Sequence, residues 1–179
     1  MKILLLGGSK SGKSLLAQTL TKKLAGGGPM IYWATMEPTD GEDRARIARH
    51  LDERDGWGFE TLECGKDLYR ALPLKPGTSV LLDSATALLA NEMFGPEMDP
   101  DAGRKTGEEL LAVAASAENL VCVCDDIFRD AGRYDPWTER YRRGLAEVCR
   151  VLAADFDLVC EVTAGIPKVH KGSLGGLLD

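Results

Sequence analysis

Gly7 to Ser14 read GGSKSGKS, and they follow directly on the apolar run KILLL at 2–6. This pairing limits the architecture more than any other stretch of the chain. A short apolar run closed by two glycines suits a strand buried on both faces, as in parallel sheets. The residues after it fit G-x-x-x-x-G-K-S, with Gly7, Gly12, Lys13 and Ser14 at the fixed positions. From Lys13 the pattern turns helical, since Leu16, Leu20 and Leu24 recur every four residues until GGGP at 26–29 stops the helix. Strand, glycine loop, helix is the context in which such a motif cradles phosphate.

Each residue type in the loop has a physical task. Glycines let the backbone fold tightly enough for its N–H groups to point inward at phosphate oxygens. The helix that follows adds the positive end of its dipole. Lys13 brings charge to the outer phosphates, and the Ser14 hydroxyl offers an oxygen to Mg²⁺. Gly7, Gly8, Ser9, Lys10, Ser11, Gly12, Lys13 and Ser14 therefore form the candidate nucleotide cradle. The motif implies a bound nucleoside triphosphate and leaves the reaction open.

The rest of the chain alternates strand-like and helix-like segments. MIYWAT at 30–35 reads as a strand, and Thr39 to Glu42 reads T-x-x-E, a capping box that predicts a helix through EDRARIARHLDER. FETLE at 59–63 reads as a short strand, and GTSVLLDSAT holds a buried strand ending at Asp83. TALLANEMF continues as helix, 95–107 reads as an exposed loop with two prolines, and EELLAVAASA reads as helix. NLVCVCDD is a strand ending in two carboxylates. Asp135 caps a helix with Pro136 in its first turn and Trp137, Tyr141, Leu145, Val148 and Leu152 along one face. DLVCEVTAG reads as the last strand, with a loose tail at 173–179. The alternation predicts one α/β domain over 1–179, with a mostly parallel sheet flanked by helices as in P-loop NTPases.

Composition excludes several classes. A net charge of −6 argues against a general nucleic-acid binder, which needs a basic surface. No apolar run is long enough to span a bilayer, and the phosphate motif begins too early to leave room for a signal peptide. These features predict a cytoplasmic protein. The five cysteines include no C-x-x-C pair, so reduced core thiols are expected rather than a zinc site.

Three further features stay open on residues alone. Asp83 ends an apolar strand, where it serves either as a second Mg²⁺ carboxylate or as a helix cap. Arg46, His50 and Arg54 form one stripe on the helix expected from about Gly41 through EDRARIARHLDER, either a solvated face or a neutral imidazole nucleophile between phosphate-binding cations. DDIF at 125–128 is either a functional carboxylate pair or a polar strand end. His170, between Lys168 and Lys171, reads as a solvated tail residue.

Taken together, GGSKSGKS (7–14), YWAT (32–35), RIARHLDER (46–54), TLE (61–63), LLDSATALLANEMF (81–94) and ERYRRGLAEVCRVLAADFDLVCEVTAGIPKVHKG (139–172) resemble one family. It is the bifunctional adenosylcobinamide kinase / adenosylcobinamide-phosphate guanylyltransferase family of cobalamin biosynthesis. The resemblance implies two reactions on a corrinoid: phosphorylation of its aminopropanol hydroxyl by GTP or ATP, then GMP transfer through a histidine. It implies that His50 carries the GMP and that Lys13 serves catalysis. It implies nucleotide contacts at Ala34, Thr35, Met36, Arg54, Glu63 and Asp83, Mg²⁺ at Ser14 and Asp83, and a trimer. The chain departs from the family pattern at DDIF, where N-E-V-G is usual, and at YRRGLAEVC, where F-R-D-x-x-G-x-x-N is usual. The alternatives are a simple P-loop small-molecule kinase that does not need His50, or a diverged nucleotide-binding protein without turnover.

Overall fold

A computed structural model describes residues 1–37, 56–130 and 132–178 of the chain. The fold follows from the alternation of buried strands with half-buried helices. β1 (Lys2–Gly7) runs through the phosphate loop into α1 (Lys13–Ala25), and β2 (Met30–Ala34) follows. β3 (Glu60–Glu63) and a 3-10 turn at Leu68–Ala71 lead to β4 (Ser79–Asp83) and α2 (Ala85–Met93). Then come α3 (Ala102–Ser116), β5 (Asn119–Asp125), α4 (Pro136–Asp155), β6 (Leu158–Thr163) and β7 (Ile166–Lys171).

The strands form one sheet in the order β3-β2-β4-β5-β1-β6-β7. Every pairing is parallel except that of β6 with β7. The expected mostly parallel α/β fold is therefore the fold observed. β5 lies between β1 and β4, so a strand late in sequence separates the loop strand from the one ending at Asp83. Because the inner strands are parallel, their C-terminal ends share one edge, where ligands bind in open α/β sheets.

Side-chain alternation sends successive residues to opposite faces. Leu4, Val80, Leu82, Leu120, Cys122 and Cys124 enter the larger core, with α2, α3 and α4. Ile3, Leu5, Leu81, Val121 and Val123 enter the smaller one, with Ala17 and Leu20 of α1. Leu174, just before the 3-10 turn Gly175–Leu177, and Leu177, its last residue, pack at the rim of the second core.

Two expectations are corrected. The stretch 95–107 is not loop throughout, because α3 starts at Ala102 and buries Ala102, Gly103, Thr106 and Gly107. Gly103 is a contact point: a Cβ on it would stand 2.7 Å from the Gly144 Cα in α4. β6 is not the last strand, since β7 adds an antiparallel edge, and His170 lies on it with Nε2 3.1 Å from Glu161 Oε2. The capping box at Thr39 and the helix expected after it lie outside the described residues.

Candidate active site

The phosphate loop leaves β1 and turns back into α1 under tight steric limits. Gly12 sits at φ +92°, in the left-handed region that favours glycine, and a Cβ there would lie 3.1 Å from the Gly165 Cα. At Gly7 a Cβ would come within 2.7 Å of both Ser11 Oγ and the Val162 carbonyl oxygen. The β6–β7 turn closes the loop from the side, with Gly165 N donating to Ser11 O at 2.8 Å. Gly8, Ser9, Lys10 and Gly12 are exposed, whereas Gly7 and Lys13 are buried and Ser11 and Ser14 half-buried.

Lys13 turns back over the loop. Its ammonium donates to Gly8 O at 3.0 Å and lies 2.7 Å from Asp125 Oδ1. Asp125 is opposite Gly7 in the β1–β5 register, and its backbone N–H donates to Thr86 Oγ1 at 2.8 Å. Thr86 is fixed in turn by the Tyr141 hydroxyl, which donates to Thr86 O at 2.9 Å; burial raises the pKa of that phenol and keeps it a donor. The pairing of DDIF with the loop is a consequence of strand order. Its only signal in sequence is a carboxylate at the end of an apolar strand.

Asp83 sits where β4 meets the same sheet edge, one strand beyond β5. One of its oxygens, Oδ2, accepts from the Tyr32 hydroxyl at 2.9 Å. The cap of α2 is Ser84, whose side chain accepts from Ala87 N, and not Asp83. Asp83 is thereby free of the capping role that sequence left open. Ser14 and Asp83 offer hard oxygen donors from the start of α1 and from the end of β4, donor types that fit Mg²⁺.

The contacts expected beyond the loop form a second group on the β3 side. Thr35 is buried and bound to the start of α2, donating from Oγ1 to Ser84 O at 2.8 Å and accepting from Ser84 N at 2.7 Å. Ala34 pairs in register with both Glu63 and Asp83. Asn91 ties Thr35 O to Gly65 O, which fixes the chain after β3 against the chain after β2. Met36 is half-buried and Glu63 exposed. Three strands separate β3 from β1, about 19 Å at the usual strand spacing, so Glu63 does not touch the phosphate loop. His50 and Arg54 lie outside the described residues.

On the other side of the loop, Arg129 bridges Asp126 and Glu161, and His170 joins Glu161. His170 and Arg129 hold the Glu161 carboxyl below its usual range. Sequence does not reveal this network, because no strand is expected after β6 and His170 reads as a solvated residue.

Residues 3–169 match a family described as cobinamide kinase / cobinamide phosphate guanyltransferase. The chain belongs to this family. Its members are bifunctional transferases of cobalamin biosynthesis, with a kinase activity on cobinamide and a guanylyltransferase activity on cobinamide phosphate. No individually curated protein matches the chain significantly. Among solved structures, the flagellar accessory protein FlaH from Methanocaldococcus jannaschii aligns at 13% identity and a TM-score of 0.49, over 97% of this chain and 79% of that one. The P4 protein from bacteriophage phi6 in complex with ADP aligns at 18% identity and a TM-score of 0.40, over 93% of this chain and 53% of that one. The family match, and not these distant likenesses, carries the assignment. No helix among the described residues is long and apolar enough to cross a membrane.

Proposed function

We propose that this cobinamide kinase / guanylyltransferase runs both reactions from the loop at 7–14, with His50 as the nucleophile of the second. The observation that carries the reading is the family match over residues 3–169, in a chain whose phosphate loop follows β1 and whose β4 ends at Asp83 on the same sheet edge.

In the first reaction the aminopropanol hydroxyl oxygen of adenosylcobinamide attacks the γ-phosphorus of GTP or ATP. The bond from that phosphorus to its bridging oxygen breaks, the nucleoside diphosphate leaves, and the hydroxyl proton passes to solvent or base. In the second, an imidazole nitrogen of His50 attacks the α-phosphorus of GTP. A P–N bond forms, the bond to the α,β-bridging oxygen breaks, and pyrophosphate leaves. A phosphate oxygen of adenosylcobinamide phosphate then takes the GMP, and the P–N bond breaks to restore His50. The phosphoramidate divides one hard displacement into two easier ones.

Lys13 and the loop N–H groups hold the β- and γ-phosphates in both reactions, first beside the transferred group and then as part of the leaving group. Ser14 and Asp83 would hold Mg²⁺, which would supply neutralising charge to the bound triphosphate. Ala34, Thr35, Met36, Arg54 and Glu63 are assigned to the nucleotide's other end. A trimer is the assembly we expect, and light scattering would then return three times the 19.4 kDa protomer mass.

The test is isotope exchange without corrinoid. Labelled pyrophosphate should enter GTP in the wild type, because formation of the histidine adduct is reversible, and should not do so in His50→Ala. Exchange that persists in His50→Ala would remove His50 from the mechanism. A wild type that phosphorylates the corrinoid but shows no exchange would leave the kinase alone standing.

A further inference from the structure

The loop lysine of this chain is already engaged by a carboxylate. Lys13 Nζ stands 2.7 Å from Asp125 Oδ1, with the two side chains 9% and 29% exposed, so the pair is partly withdrawn from water. Asp125 is held from behind through Thr86 and Tyr141, and it stands in register with Gly7 at the root of the loop. Strand alternation puts it on the α1 side of the sheet, following Val121 and Val123. Asp83 follows Leu81 on the adjacent strand and belongs to the same side. Two carboxylates therefore face the phosphate cradle from neighbouring strand ends.

This arrangement weighs differently on two forms of the nucleotide. A free triphosphate must draw Lys13 away from Asp125 and then rest beside the carboxylate it has uncovered. Like charges at such range, partly out of water, repel strongly. A triphosphate complexed to a divalent cation brings positive charge that offsets both carboxylates. An amide at 125 would still accept a hydrogen bond from Lys13 but would carry no charge.

We propose that Asp125 is a positioning residue that makes the loop selective for the cation-complexed nucleotide, by competing with the phosphates for Lys13 and repelling the free form. The inference rests on reading residues 7–14 as the nucleotide cradle. It adds a specificity element that the loop motif does not contain.

Equilibrium binding of a fluorescent GTP analogue to the full chain tests it, in excess EDTA and in saturating Mg²⁺. Asp125→Asn should bind the metal-free analogue about fivefold to tenfold more tightly than the wild type, and its ratio of metal-free to Mg²⁺ Kd should shrink by a similar factor. Asp125→Glu, which keeps the charge, should hold the wild-type ratio. Damage to the fold weakens binding in both conditions, so a gain in EDTA cannot come from misfolding. An unchanged ratio in Asp125→Asn, or weaker binding in both conditions, overturns the proposal. Lys13→Ala separates the two levels. If it loses binding while Asp125→Asn follows the wild type, the cradle stands and the role of Asp125 falls. If Lys13→Ala binds as the wild type does, both fall.

Discussion

Lys13 is the buried cation of the phosphate loop. It is 7% exposed, and its ammonium is held by one carbonyl and one carboxylate partner. A hydrogen bond to a charged group contributes about 1.5–3 kcal/mol, so Lys13→Ala should weaken Mg²⁺–GTP binding about 10- to 150-fold. Titration calorimetry would measure this, and a change under threefold would contradict the assignment.

Glu109 makes a separate prediction away from the site. Its carboxyl is fully buried in α3, and among the described residues neither oxygen makes a hydrogen bond of full geometry, the Leu68 backbone giving it only weak support. Burial, with the nearby negative charge of Glu92, raises its pKa to about 7, although the Lys105 ammonium 3.9 Å away opposes the shift. Lys105 is held more closely by Asp67 and Glu92, each at 2.6 Å. A carboxyl that binds its proton more tightly when folded loses stability as pH rises from its unfolded range to about 7. Glu109→Gln should therefore be more stable than the wild type at pH 8, by about 1 kcal/mol or more, and no more stable at pH 5. Urea midpoints at the two pH values check this, and an equal difference at both would contradict it.

At the scale of elements, α3 and α4 cross where Gly103 meets Gly144 backbone to backbone. An added methyl has no flexible side chain to displace there, so the helices must move apart. Gly103→Ala should cost about 1–3 kcal/mol despite its better helix propensity. For a chain of this size each kcal/mol lowers Tm by about 2–4 °C. A Tm equal to or above that of the wild type would show that the crossing tolerates the methyl.

The same crossing explains one limit of the sequence. Two prolines and a run of charges at 95–107 read as loop, yet Gly103 there serves close packing, a need set by a partner more than thirty residues on. β7 was hidden for a different reason. Its residues are nearly all exposed, so IPKVHK lacks the apolar alternation that marks a half-buried strand, and its pairing depends on β6 being present. The strands β1, β4 and β5 were legible because burial on both faces leaves a continuous apolar run.

For the whole molecule, strand order determines what the site contains. The loop, Lys13, Ser14 and Asp83 were readable, since each has a local signal: a glycine pattern, a helix start, a strand end. The pairing of Lys13 with Asp125 was not, because it needs β5 to insert between β1 and β4. DDIF showed only a carboxylate pair of undecided use. The separation of Glu63 from the loop is likewise a property of the sheet, in which the cradle and the β3-side contacts occupy different parts of one edge.

The central claim is that one nucleotide cradle serves two transfers, with GMP passing through His50. The most direct measurement incubates the full chain with Mg²⁺ and GTP labelled at the α-phosphate, and separately at the γ-phosphate, without corrinoid. The account predicts α-label on the protein, stable to alkali, lost in mild acid and absent from His50→Ala, with no γ-label retained. GTP that binds while leaving no α-label on the protein would contradict it.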